Sequence, residues 1–132
     1  KINKKDVSIV YKKLLEEVNY WRNKFEEKGY EVINYPHIDE DVDYDEQYKK
    51  FYTDIENCDI FFLMNATKNN IEGYIGASVF GEVTYAVMNN VVHNKNIKIL
   101  MLSMPSMALF CHEEIIRWID LGWINFYHGD EL

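Results

Sequence analysis

Cysteine is scarce in this chain of 132 residues: there are two, Cys58 and Cys111. Their separation has neither the spacing of a metal site nor the count of a disulfide framework, so both read as buried thiols in a reducing compartment. Basic charge is also short, with 14 Lys and Arg against 22 Asp and Glu for a net charge of −8. Such a chain repels nucleic-acid phosphates and anionic membrane surfaces at long range, which leaves a small, locally complemented ligand as the expected partner. No apolar run approaches the ~20 residues that cross a bilayer, and no basic-then-apolar leader marks secretion. The expectation is a cytoplasmic protein without membrane contact. The terminal "HGDEL" echoes a luminal retention signal, which acts only after a leader has delivered the chain. Repeats and linkers are lacking, and 48% hydrophobic with 15% aromatic content suits one domain, residues 1–132, with a real core.

What is there alternates between two periods. Ile9, Val10, Leu14, Val18, Trp21 and Phe25 recur at helical spacing from Asp6 to Lys28, and Gly29 stands where such a helix stops. "YEVINYP", Tyr30 to Pro36, alternates β-branched and aromatic residues and reads as a short strand. Aspartates at 39, 41, 43 and 45 have the look of a calcium loop, but Tyr44 and Lys50 stand where its glycine and glutamate belong, so a solvated acidic loop leading into a helix is expected. That helix spans Tyr44 to Asn57. "DIFFLMN", Asp59 to Asn65, is a nearly continuous apolar run and the expected centre of a sheet. A helix over Ser78–His93, a strand over Ile97–Ser103, a helix in "HEEIIRWIDLG" and a last strand in "WINFY" complete the series.

Strands separated by long helices imply parallel pairing, hence an α/β fold: a three-layer α/β/α sandwich of flavodoxin-like or Rossmann-like kind with strands near 30–35, 59–65, 97–103 and 123–127. Such folds usually begin with a strand, and this chain opens on a helix at Lys1. An upstream strand with its loop is therefore expected to be missing.

Three of the six glycines, Gly73, Gly76 and Gly81, fall within "IEGYIGASVFGEVTYAV" (Ile71–Val87), just ahead of Glu82. Clustered glycines signal close backbone approach or unusual dihedrals. The segment lacks the ending of a Walker phosphate loop and the dinucleotide fingerprint. With Ser78 as the helix cap, the capping-box glutamate belongs at Gly81, so simple capping does not account for Glu82. Two readings stay open on the residues alone: Glu82 answers the helix dipole, or it is a carboxylate held at the mouth of a site. His37, His93, His112 and His128 show no spacing for a metal or a triad, and no metal or other cofactor is expected.

"CDIFFLMN" followed by "NNIEGYIGASVFGEVTYAV" resembles the nucleoside 2-deoxyribosyltransferase-like family, whose pattern is a strand, a loop with GY.G and a helix opening on E..YA; the likeness runs from about Lys12 to Ser103 and takes in "KGYEVINYP". The resemblance implies that Glu82 attacks the anomeric carbon of a nucleoside and forms a covalent glycosyl-enzyme intermediate, which another base or water releases. It implies that Tyr85 orients this carboxylate and that Asn65, Asn70, Gly73, Tyr74, Gly76 and Ser78 border the substrate. Family transferases carry aspartates in the helix before the central strand and in the loop before the glutamate. Phe51 and the surroundings of Gly76 stand there instead, with Asp54 a turn away as a substitute. The small-molecule partner implied is a nucleoside or nucleotide, and a homo-oligomer is implied, for which "SMPSMALF" and "GWINFYHG" supply apolar material. Two alternatives remain: a nucleoside 5′-monophosphate hydrolase, with Lys68 or the Ser78 helix start for the phosphate, and a non-catalytic nucleotide-binding or sensing module.

Overall fold

Apolar residues at a helical period among Lys and Glu produce the first element, α1, over Lys4–Glu27. The computed structural model describes residues 4–35 and 43–129, with side chains from residue 16 onward. The side chains of Ile9, Val10 and Leu14, and the residues Pro36, His37 and the aspartates at 39 and 41, lie outside the described ones. The chain forms two compact units, Lys1–Gln47 and Tyr48–Leu132.

In the first unit, α1 stops as the glycine predicts. Gly29 is left-handed with φ +89, its N–H donates to the Glu26 carbonyl at 3.0 Å and the Tyr30 N–H donates to the Phe25 carbonyl at 3.1 Å. This is the Schellman closure, and its hydrophobic contact is present as the edge-on Phe25 and Tyr30 rings, 6.4 Å apart. Arg22 lies over the Tyr35 ring at 4.1 Å. Tyr30–Tyr35 form no strand. Alternation supplies the propensity, but a strand exists only as one side of a ladder, and no ladder among the described residues includes this segment.

The helix α2, Tyr44–Asn57, begins where Asp45 and Glu46 favour the positive end of the dipole. It leads into the second unit, where β1 (Ile60–Leu63), α3 (Ala77–His93), β2 (Lys98–Met101), α4 (His112–Asp120) and β3 (Asn125–Phe126) follow in turn. The three strands form one parallel sheet in the order β1-β2-β3. Ile60 to Leu63 pair with Lys98 to Met101 in register, and Leu100 and Met101 pair with Asn125 and Phe126.

The middle of this sheet is β2, which corrects the expectation that 59–65 would be its centre. Ile99, Leu100 and Met101 alternate between faces yet are all at most 2% exposed, so both faces are covered. One face joins Leu63, Ile99 and Met101 to Ile55 of α2, Val83, Ala86 and Val87 of α3, and Ile115 and Trp118 of α4. Phe80 of α3 stacks on Trp118 of α4 at 5.8 Å. On the other face Phe62 meets Tyr127 edge-on at 5.7 Å beside the buried Leu100. The fold is mixed α/β, with four helices and a small parallel sheet among the described residues.

Candidate functional site

The loop from β1 to α3 leaves the carboxyl edge of the sheet, where parallel folds collect ligands. It contains a miniature hairpin. Lys68 and Ile71 exchange backbone bonds of 3.1 and 2.9 Å, and the two residues between them, Asn69 and Asn70, are both left-handed at φ 52 and φ 61. Two consecutive positive dihedrals make a type I′ turn, a conformation that asparagine tolerates. Asn70 is therefore placed by its backbone at an exposed turn tip.

Gly73 is required by packing. It is left-handed, and a Cβ there would stand 2.0 Å from the carbonyl oxygen of Met104. The close approach that glycine permits is made to the protein's own β2–α4 loop. Beside it the Tyr74 ring lies 3.4 Å from where a Gly76 Cβ would be, with the Lys68 ammonium 5.6 Å from the ring centroid. A Cβ at Gly81 would come within 3.0 Å of the Tyr52 hydroxyl.

The α3 helix starts two residues earlier than a Ser78 cap would place it. Its cap is Gly76, extended at φ −78 and ψ 172 with no side-chain bond, and the first turn holds no acidic residue. Ser78 lies within that turn, exposed, and is not the cap. Glu82 consequently sits in the second turn. The free N–H groups that stabilise an anion belong to the first turn, and the Phe80 N–H already donates to the Gly76 carbonyl at 2.9 Å.

Glu82 is half-buried and has no hydrogen-bond or ion-pair partner among the described residues. Burial alone raises its carboxyl above the ordinary 4.5. A partly desolvated carboxyl without a partner is uncommon in a structural role, because partners are what usually compensate its burial.

The other candidates are engaged elsewhere. The Tyr85 hydroxyl donates to the Glu56 carboxylate, not to Glu82. Asp54 accepts from Lys50 at 2.6 Å along the same helix, and at two residues from Tyr52 it lies some 200° around α2 from the ring that borders Gly81. Asn65 is buried with both amide atoms spent on the Ser103 backbone. Loop residues Asn65, Gly73, Tyr74 and Gly76 are thus brought together at the carboxyl edge, whereas no described hydrogen bond or ion pair ties Asp54, Tyr85 or that loop to Glu82.

Two residues of this region escaped the sequence reading. Tyr52 and Glu56 project from α2 toward α3; Tyr52 packs on Tyr48 at 4.4 Å and edge-on to Tyr85 at 5.0 Å. The signal was the i,i+4 series Tyr48, Tyr52, Glu56, which shares one helix face.

Both thiols are free. Burial, aided by the Asp59 and Asp54 carboxylates, pushes Cys58 up to about 11, and burial also raises Cys111. Both are thiols at neutral pH and poor nucleophiles. Among the described residues no group of His, Cys, Asp and Glu could hold a metal ion, and no helix is long and apolar enough to cross a membrane.

Comparison with protein-family models, with curated proteins and with solved structures yields no match for this chain.

Proposed function

We propose that this chain cleaves or exchanges the N-glycosidic bond of a nucleoside, with Glu82 as the attacking carboxylate. The observation that carries the reading is Glu82 itself: half-buried, raised in pKa by burial and free of any partner among the described residues. Once ionised, such a carboxylate lacks part of the water shell that blunts attack. Its oxygen bonds to the anomeric carbon while the carbon–nitrogen bond breaks and its electron pair leaves with the base. A second base or a water then attacks the same carbon and the ester to Glu82 breaks, giving overall retention.

The sheet belongs with this reading as a three-layer α/β/α sandwich of flavodoxin-like kind. The helices α2, α3 and α4 share one face of the sheet, and the burial of Leu100 on the other face calls for a covering layer there. We also propose a cytoplasmic homo-oligomer, supported by the exposure of Met104, Met107, Phe110 and Trp123. A light-scattering mass of one chain at every concentration would count against it.

A second reading, a nucleotide-binding or sensing module without turnover, is favoured by one observation. Asn65, Tyr85 and Asp54, three groups that could position a substrate or protonate its leaving base, are occupied by Ser103, Glu56 and Lys50. Incubation with a deoxynucleoside and a second free base, followed by chromatography, separates the two. Exchanged nucleoside means transfer, free sugar means hydrolysis, and neither product with retained nucleotide binding favours the module. Hydrolysis confined to nucleoside 5′-monophosphates would bring Lys68 into the site.

A further inference from the structure

The last backbone bond between β1 and β2 runs from the Leu102 N–H to the Leu63 carbonyl at 3.1 Å, after which the Ala66 N–H turns back to Met64 at 3.0 Å. Where the ladder stops, a side chain takes over. The Asn65 carboxamide donates to the Ser103 carbonyl at 2.6 Å and accepts from the Ser103 N–H at 2.8 Å, in the manner of one more peptide of β1. Asn65 is 2% exposed. Gly73 makes the second contact, packed so closely on the Met104 carbonyl that no Cβ fits. Both contacts link the β1–α3 loop, residues 65–76, to the start of the β2–α4 loop, residues 103–111.

We propose that Asn65 is a latch that makes these two loops a single conformational unit, which opens and closes as a whole at the carboxyl edge of the sheet. Whichever loop departs, the same pair of bonds breaks. A buried donor and acceptor on Asn65 and the Ser103 N–H and carbonyl then lose their partners together. Once that cost is met, each loop keeps only its own core packing, Ile75 in one and Pro105 and Leu109 in the other. The second loop has turn bonds of its own, from Leu109 N–H to the Ser106 carbonyl and from Ala108 N–H to the Ser106 hydroxyl, and it leaves Met107 86% and Phe110 111% exposed. Pro105 is buried and Leu109 packs on the core, so the unit is closed in this structure. By linkage, any molecule that orders one loop orders the other. Neither contact depends on the chemistry of Glu82.

Asn90 provides an internal control. Its carboxamide grips Ile97 in the same two-way fashion, at 2.8 and 2.8 Å, at the opposite end of β2. Amide hydrogen exchange of the whole chain, read by mass spectrometry at rising denaturant, tests the latch. In the wild type, amides of 66–76 and 104–111 should exchange through one opening with one denaturant dependence, easier than that of 99–101. Asn65→Ala should speed both loops together by a factor on the order of ten to thirty, as expected for two lost hydrogen bonds, while Asn90→Ala speeds the 94–98 region and leaves both loops unchanged. Different denaturant dependences for the two wild-type loops would overturn the proposal, as would acceleration of only one loop, or equal acceleration of both loops and 99–101, in Asn65→Ala. The wild-type measurement decides the matter even where Asn65→Ala fails to fold.

Discussion

The two ends of α3 are built from opposite materials. At its exit the polar groups are matched: the Asn89 carboxamide donates to the Tyr85 carbonyl at 2.8 Å, the Asn89 carbonyl accepts from the N–H groups of Asn94 and Lys95, and Asn90 grips Ile97. Asn94 itself turns left-handed at φ 55 to end the helix. At its entry the cap is a glycine without a side-chain bond, and the first charged residue, Glu82, has no partner among the described residues. A sealed exit holds β2 in register. An entry with little compensation leaves its groups available to something else, as the proposed role of Glu82 requires.

The contrast breaks most severely at Gly73. Gly73→Ala places a methyl into the Met104 carbonyl at a left-handed position, and is expected to cost at least ~3 kcal/mol, since the dihedral alone costs ~1–2 kcal/mol and backbone cannot yield cheaply. Chemical denaturation of the purified variant checks this, and a loss under 1 kcal/mol would show that the loop is free to shift. At the exit, Asn90→Ala removes two hydrogen bonds and leaves the Ile97 N–H and carbonyl unsatisfied, an expected loss of ~2 kcal/mol by the same measurement. Gly81→Ala sharpens the comparison, because the helix interior gains up to ~1 kcal/mol from alanine while the Tyr52 hydroxyl at 3.0 Å resists it. Tyr52 is held between Tyr48 and Tyr85, so these effects should cancel to within ~1 kcal/mol.

The smallest effect on stability, and the largest expected on activity, belongs to Glu82→Gln. A carboxyl whose pKa is raised by folding binds its proton more tightly in the native state, so the wild type loses stability as pH rises from the ordinary 4.5 through the folded value. Glutamine has no such penalty. Melting temperatures of wild type and Glu82→Gln should therefore agree near pH 4 and diverge in the variant's favour by pH 7, while glycosidic cleavage is abolished. A variant less stable at pH 7 would assign Glu82 to structure.

Much of this was legible in the chain, and unevenly so. The bounds of α2 follow from an acidic first turn and a clear period, and Gly29 ends α1 because a left-handed closure is a local event. The apolar runs mark β1 and β2 but overstate them, since four residues of each are laddered. The cap is Gly76 and not Ser78, because Gly76, with no side chain to announce itself, holds the extended backbone that begins the helix.

For the candidate site, the residue types were readable and their partners were not. Asn65, Tyr85 and Asp54 carry polar groups that could serve a ligand equally well by composition. Only the fold places Ser103 against Asn65 across 38 positions and Glu56 against Tyr85 across 29.

Local physics thus set the helices, the parallel α/β alternation and the glycine-rich entry to α3, because periodicity, capping and dihedral freedom act over a few residues. Which strand lies in the middle, which asparagine is a clamp and which glutamate is left without a partner were decided by tertiary structure. Ladder pairing and hydrogen-bond satisfaction depend on groups far apart in the chain, whose proximity no local window contains.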